Sequence, residues 1–380
     1  MAKPLFITEI LRVIIDELAV DDKQSLACLA RTSKAFTDPC LDGLWHTMDS
    51  FIPLIPLLPI SVRSALVGEK RSVWYHHKNL KSHWSTLFQR LKTHSRSGVR
   101  VQPCGEWEPF DKYARRVRIY RPTDNMYQLV SIHRGNYLFP NLRDLHWHNT
   151  GSYPMERWSL PSSLRSLTII EHPTVGIEFF LDKIAHDAPE LETLDIRFGP
   201  PARLTPYTTV YPLPFNRLES VTLVFPDLAR VDICSFLSSA PITDLTVMLG
   251  NSAMMWQPGS LFHGLESLTI FGNPASASLF VEYVGSTRLW GVHLMLLDED
   301  VTLSDCQKFL AALFKTHGQS LQVLCLNING ESLSSQNPST INQLVNKFLS
   351  KLRLHRRSVV VAQFMNARWA QRDLLKNPLF

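Results

Sequence analysis

The sequence predicts an α/β chain: three short helices at the N-terminus, an irregular solenoid of strand–helix repeats, and a helical C-terminal end. Three observations carry that expectation. Apolar residues recur at helical spacing through the first fifty positions. A six-residue core, L-x-x-L-x-L, returns through the middle of the chain. Pro- or Gly-containing turns precede these cores, and amphipathic stretches separate them.

Composition sets the limits. With 380 residues, 45% of them hydrophobic and 19% charged, the chain can bury a large core and resembles an ordinary soluble protein. A net charge of +5 is mild and falls well short of a nucleic-acid-binding signature. The cysteines (Cys28, Cys40, Cys104, Cys234, Cys306 and Cys325) are scattered, mostly within apolar runs. They read as buried free thiols of a reducing compartment. No Asn-x-Ser/Thr acceptor has a permitted middle residue, and Leu5 to Leu18 alternates apolar and charged residues, unlike a signal-peptide core. The most apolar stretch, Phe51 to Ile60, is about half the length of a membrane span and is broken by Pro53, Pro56 and Pro59. The expected location is therefore intracellular, in cytoplasm or nucleus, with no membrane partner.

The helices come first. Ile7, Ile10, Leu11, Ile14, Ile15 and Leu18 form one apolar stripe, with Arg12, Asp16 and Glu17 on the other side and Thr8 as N-cap. A second helix is expected to open at Asp21, with Gln24 in capping-box relation, and to bury Leu26, Ala27, Leu29 and Ala30. A third is expected near Asp38, with Pro39 in its first turn and Leu41, Leu44, Trp45 and Met48 buried. Three helices this short cannot easily enclose so much apolar area. Either an exposed patch remains for a partner, or the bundle caps the next domain.

The run Ile7-Thr8-Glu9-Ile10-Leu11, followed by Ile14, Leu18, Leu26, Leu29, Thr32-Ser33-Lys34-Ala35-Phe36 and Leu44-Trp45, resembles an F-box over residues 4–49. It is similar in particular to F-boxes of fungal, basidiomycete-type proteins. The resemblance implies docking of apolar helix faces into a groove of the Skp-type adaptor of a cullin ubiquitin ligase. It assigns that contact to Ile10, Leu11, Ile14, Leu26, Leu29, Phe36, Leu44 and Trp45. The family's usual Leu-Pro before the Glu is Ile7-Thr8 here, with the nearest proline at Pro4. That departure bears on affinity rather than on fold.

Residues 50–106 read as a connector. Phe51 to Ile60 is expected to pack along the seam between the two parts, and 61–100 is rich in Arg, Lys, His and Ser. The repeats occupy 107–330. Their cores are Leu142-x-x-Leu145-x-Trp147, Leu164-x-x-Leu167-x-Ile169, Leu191-x-x-Leu194-x-Ile196 and Leu218-x-x-Val221-x-Leu223. Next come Ile242-x-x-Leu245-x-Val247, Leu265-x-x-Leu268-x-Ile270, Leu289-x-x-Val292-x-Leu294 and Leu321-x-x-Leu324-x-Leu326. A weaker first copy stands at Ala114-x-x-Val117-x-Ile119. The spacings run from 22 to 32 residues, mostly within the leucine-rich-repeat range of ~20–29. The string Trp107 to Arg118 resembles the start of the repeats in the same fungal F-box family. The stretches Ile177–Ile184, Leu279–Val284 and Phe309–Phe314, the last opened by a Ser304-x-x-Gln307 box, are expected as helices. The Asn that usually follows such strands occurs only at Asn273 and Asn329. Beyond Asn329 the pattern stops. Residues 331–380 read as a terminal cap or a divergent tail, with a helix from Ile341 to Leu352, a Val359-Val360-Val361 strand and a last helix.

No catalytic constellation stands out. His146 and His148 share a strand face opposite Trp147 without metal-spaced partners, and Arg115-Arg116-x-Arg118 and the Arg353–Arg357 run read as solvated basic faces. No cofactor or metal is expected. The functional expectation is a non-enzymatic receptor of a Skp–cullin–F-box type ubiquitin ligase, its repeats holding an unidentified protein target. The alternative is a leucine-rich-repeat scaffold with no link to a ligase.

Overall fold

Helices α1 (Thr8–Asp21), α2 (Lys23–Thr32) and α3 (Lys34–His46) build their own small core from Leu11, Ile15, Leu26, Ala30 and Cys40. The computed structural model describes residues 8–60, 62–63, 104–122, 137–148, 159–170, 177–197, 215–224, 237–249, 259, 261–296, 303–328 and 359–364. The basic stretch 61–100 apart from residues 62–63, the Ile341–Leu352 segment, Arg353–Arg357 and the expected last helix lie outside them.

Helix α1 already includes Thr8, the residue expected as its cap, and the starts of α2 and α3 also differ from expectation. The cap of α2 is Asp22, whose carboxylate accepts from the Ser25 amide at 2.9 Å, not Asp21. The third helix starts at Lys34, capped by Ser33, so Pro39 sits inside it rather than in its first turn. Ser33 and Thr37 explain the early start. The Ser33 side chain accepts from the Ala35 amide, and the Thr37 hydroxyl donates to Ala30 O at 2.9 Å, pinning α3 to the end of α2. These bonds fix the start of α3 ahead of Pro39, whose ring costs the helix interior a backbone bond and crowds the preceding turn. Gly43 completes the packing, because a Cβ there would stand 3.0 Å from Ile15 and 3.2 Å from Leu26.

The chain divides into two compact units, Met1–Leu167 and Thr168–Phe380. In the first, β1 (Thr47–Met48) leaves α3 directly and pairs in parallel with β2 (Ile119–Tyr120), which pairs with β3 (Asp144–His148). Met48 is buried as expected, but on a strand rather than on a helix. Between β1 and β2 lie a short 3-10 turn over Ile52–Leu57, another over Cys104–Trp107, and α4 (Glu108–Ala114). Phe51, Leu54, Ile55 and Leu58 are buried, and Phe51 stands 6.0 Å from Phe110 and 6.1 Å from Phe139, ring to ring. An aromatic cluster thus joins the start of the connector to the first repeats.

The register corrects the first repeat. Tyr120, not Val117, lies opposite Leu145, so the core reads Val117-x-x-Tyr120-x-Pro122. Val117 and Tyr120 are fully buried, whereas Ile119 is half-exposed. Ala114 instead ends α4. A tyrosine in the second leucine position hid the phase from the leucine pattern.

Strand β4 (Ser166–Ile170) straddles the division. The second unit holds β5 (Thr193–Arg197), β6 (Ser220–Val224), β7 (Asp244–Leu249), β8 (Ser267–Gly272), β9 (Gly291–Leu296), β10 (Val323–Ile328) and β11 (Val359–Phe364), hydrogen-bonded in sequence order and all parallel. Each expected leucine position of these repeats up to β10 is buried. Helices α5 (Ile177–Asp187), α6 (Pro274–Tyr283) and α7 (Leu303–His317) occupy three of the intervals, covering the stretches expected to be helical except Val284, which follows α6 and bridges Leu261. The side chain of Asn273 caps α6, accepting from the Ser276 amide at 2.7 Å. Helix α7 begins at Leu303, so Ser304 lies inside its first turn. Strand β11 pairs residue for residue with β10, Leu324 opposite Val360 and Leu326 opposite Ala362. The ladder therefore continues one strand beyond the last leucine core, into the segment read as a cap.

One strand per repeat, laid parallel in chain order, is the geometry of a solenoid-like α/β arrangement. Among the described residues the buried thiols are Cys40 and Cys306, the pKa of the latter pushed up to about 11 chiefly by burial, while Cys325 is half-buried and Cys28 is exposed.

Candidate docking surface on the N-terminal helices

The three-helix core fixes which apolar side chains remain available. Leu26 has no accessible surface and Leu11 only 9%. Both hold the helices together, so Leu26 cannot be a contact residue while the unit is folded. Leu29, Phe36 and Leu44 are half-buried against the same core, and Ile14 is half-buried on α1. Trp45 is half-buried with its ring 5.1 Å from that of Tyr113 on α4, so much of its face is used within the chain. Of the eight residues that the sequence assigned to the contact, only Ile10 is open, at 42%.

Two residues outside that set join it. Val13 is 63% exposed and Val20 82%, both on α1. With Ile10 they repeat at three and seven residues along one side of the helix, a second apolar stripe beside the buried one. Glu17 interrupts it, and Glu9, Arg12, Asp16 and Asp21 flank it, all exposed. The signal was present in the sequence, hidden by reading that side through Arg12, Asp16 and Glu17 alone. Single exposed valines are ordinary on a protein surface. A row of three large apolar side chains on a helix whose opposite face is already satisfied has the shape of a helix-in-groove ligand.

The unit is anchored through α3. Arg116 is buried, and its guanidinium donates to Asp38 Oδ1 at 2.6 Å, to Asp38 O at 3.2 Å and to the Asp42 carboxylate, both on α3. Burial disfavours its charge, but the two aspartates outweigh burial and raise its pKa. The expectation that Arg116 belongs to a solvated face is thus corrected. The Arg118 amide donates to His46 O and the Arg121 amide to Met48 O, continuing the β1–β2 ladder on either side.

The expected histidine face is partly described. Trp147 is buried, and His146 lies half-buried with Nε2 3.3 Å from Asp144. Asp144 also takes Arg121 at 3.0 Å. Burial would raise the Asp144 pKa, but His146 and Arg121 together hold it below the usual carboxylate value. The His148 side chain lies outside the described residues. Among those residues no group of three His, Cys, Asp or Glu side chains could hold a metal ion, and no helix is long and apolar enough to cross a membrane.

Compared with known proteins, the chain matches no family model and no curated sequence.

Proposed function

We propose that this protein is a substrate-recognition subunit of a Skp–cullin–F-box type ubiquitin ligase. The α1 stripe docks on the Skp-type adaptor, and the repeats hold a protein target. The chain supplies proximity rather than bond chemistry, bringing the target within reach of the ubiquitin donor. It would act in the cytoplasm or nucleus.

The observation that carries this reading is the open row of Ile10, Val13 and Val20 on a helix whose other face already has its core. The F-box-like spacing of the first 49 residues points the same way. The test is titration of purified Skp-type adaptor into the full chain. Wild type should bind, while Ile10→Asp and Val13→Asp should weaken binding by at least about tenfold with unchanged circular dichroism. A Leu11→Asp variant is the wrong probe, because Leu11 is core and its loss unfolds the unit. No adaptor binding by wild type would leave the scaffold reading.

A further inference from the structure

On the strands of the second unit, a column of hydroxyls gives way to two stronger donors. Thr222, Thr246 and Thr269 lie opposite one another on β6, β7 and β8. The register continues that column with His293 on β9 and Cys325 on β10. Met295, two residues beyond His293, shares its face. The alternate residues Val292, Leu294, Leu324 and Leu326 are buried on the other face, so His293, Met295 and Cys325 all point away from that core. Neighbouring strands lie about 4.8 Å apart, and residues two apart along a strand about 6.6 Å. An imidazole, a thiol and a thioether therefore stand within reach of one small ion.

Their donor atoms are available. His293 is exposed, and Cys325 and Met295 are half-buried. Among the described residues His293 has no hydrogen-bond or ion-pair partner, and Cys325 has a weak one, its thiol donating to Asn327 Oδ1 at 3.9 Å. The adjoining positions of the register, Thr269, Phe271 and Asn327, bring no carboxylate. Histidine, cysteine and carboxylate donors alone make no trio here, and the sulfur of Met295 supplies the third ligand. That donor set selects the ion. Zn(II) takes Cys, His and carboxylate ligands, usually four of them, and the hard cations take oxygen. Thiolate and thioether sulfur are soft ligands, which suit Cu(I).

We infer that His293, Met295 and Cys325 form a binding site for a cuprous ion on the open face of β9 and β10, with imidazole nitrogen, thioether and thiolate as its ligands. Binding is an exchange. The Cys325 S–H bond breaks, an S–Cu bond forms and the proton leaves to solvent, with no change in oxidation state. Burial makes the Cys325 thiol hold its proton more tightly than a free cysteine does. Affinity should therefore fall about tenfold from pH 8 to pH 7, one proton being displaced per ion. The matching pairs on earlier strands, Thr222 with Val224 and Thr269 with Phe271, hold no such donors, so the site is local to β9 and β10 rather than a habit of the repeat. It lies wholly in the second unit and stands whether or not α1 binds the adaptor.

The test is competition for Cu(I) between the full chain and the chelator bathocuproine disulfonate, without oxygen and with ascorbate present. Wild type should withhold one equivalent more than Cys325→Ser. His293→Ala and Met295→Leu should each weaken the hold on that equivalent by at least about tenfold, since loss of a supporting group alone typically costs that much. Cys28→Ser, which removes the exposed thiol of α2, should leave it unchanged. X-ray absorption at the copper edge should show nitrogen and sulfur neighbours in wild type and lose the nitrogen in His293→Ala. Copper should raise the melting temperature of wild type and not of Cys325→Ser. Matching copper-free melts show that the variants fold, and His293→Gln replaces His293→Ala if the latter melts early. No retention by wild type, or equal retention by wild type, Cys325→Ser and His293→Ala, would overturn the inference. So would retention that needs Cys325 but neither His293 nor Met295, which would mark a reactive thiol and no built site.

Discussion

At the scale of single residues, the buried polar groups carry the sharpest consequences. Arg116 ties α3 to the first repeat through two aspartates that are themselves exposed. Its loss removes the clasp without leaving a buried carboxylate behind, so Arg116→Ala should cost about 1–3 kcal/mol in chemical denaturation. Arg116→Lys should recover little, because a single ammonium cannot span both carboxylates and the Asp38 carbonyl. His317 ends α7 with Nδ1 3.1 Å from Ser286 O and Nε2 3.2 Å from Val281 O. A neutral ring has one N–H and can donate to only one of them. Burial lowers its pKa, and the two carbonyls offset this only in part. A base with a depressed folded pKa adds stability above its unfolded value of 6.5 and loses it as pH falls through the folded value. Denaturant midpoints of wild type should therefore decline on acidification from that point, and His317→Gln should flatten the decline. Neither group was legible as a tie from sequence. Arg116 sat in what reads as a basic run, and His317 had no motif around it.

Among the elements, those whose hydrophobic period is undisturbed were legible, and those set by capping or by a substituted core residue were not. The leucine cores placed β3 to β10 because burial of each recurring position of the pattern is what the fold needs. Strand β2 escaped by one register step, since Tyr120 fills a leucine site; β11 was expected as a Val359–Val361 strand but not as a further rung of the ladder, because Val360 and Ala362 stand where the pattern has leucines. Helix α3 was misplaced because Pro39 reads as a helix start, while Ser33 and Thr37 provide the actual one. The open apolar stripe was half legible. Its helix was found, but Leu26, assigned to a contact, is core, and the exposed Val13 and Val20 lay outside the assigned set. Caps that the structure reveals are testable at this scale. Asn273→Ala should cost about 1 kcal/mol by removing the side-chain acceptor at the start of α6. Gly272 precedes it at φ +143, where a Cβ would lie 2.5 Å from Leu249 O. Gly272→Ala should therefore lower the melting temperature more than Asn273→Ala does, a comparison that calorimetry can make directly.

For the whole molecule, the helices and the first repeats are one structural unit rather than a detachable module on a linker. The β1–β2 pairing and the Arg116 clasp cross the boundary that the sequence suggested near residue 49, and the Phe51 aromatic cluster crosses the one near residue 106. A fragment ending at residue 63 should show less helix and a lower melting temperature by circular dichroism than one ending at residue 167. A docking face built on such a body holds a fixed orientation relative to the strands beside it, which suits a receptor that must present a bound protein to an enzyme elsewhere. That account rests on the outer stripe of α1 being covered by another polypeptide. Alkylation of an introduced cysteine reads this most directly: Val13→Cys and Val20→Cys, labelled with iodoacetamide in the presence and absence of saturating Skp-type adaptor. Shielding of both positions by the adaptor, with Leu279→Cys on α6 labelled at an unchanged rate, is the expected result. Equal labelling of Val13→Cys and Val20→Cys with and without adaptor would contradict it.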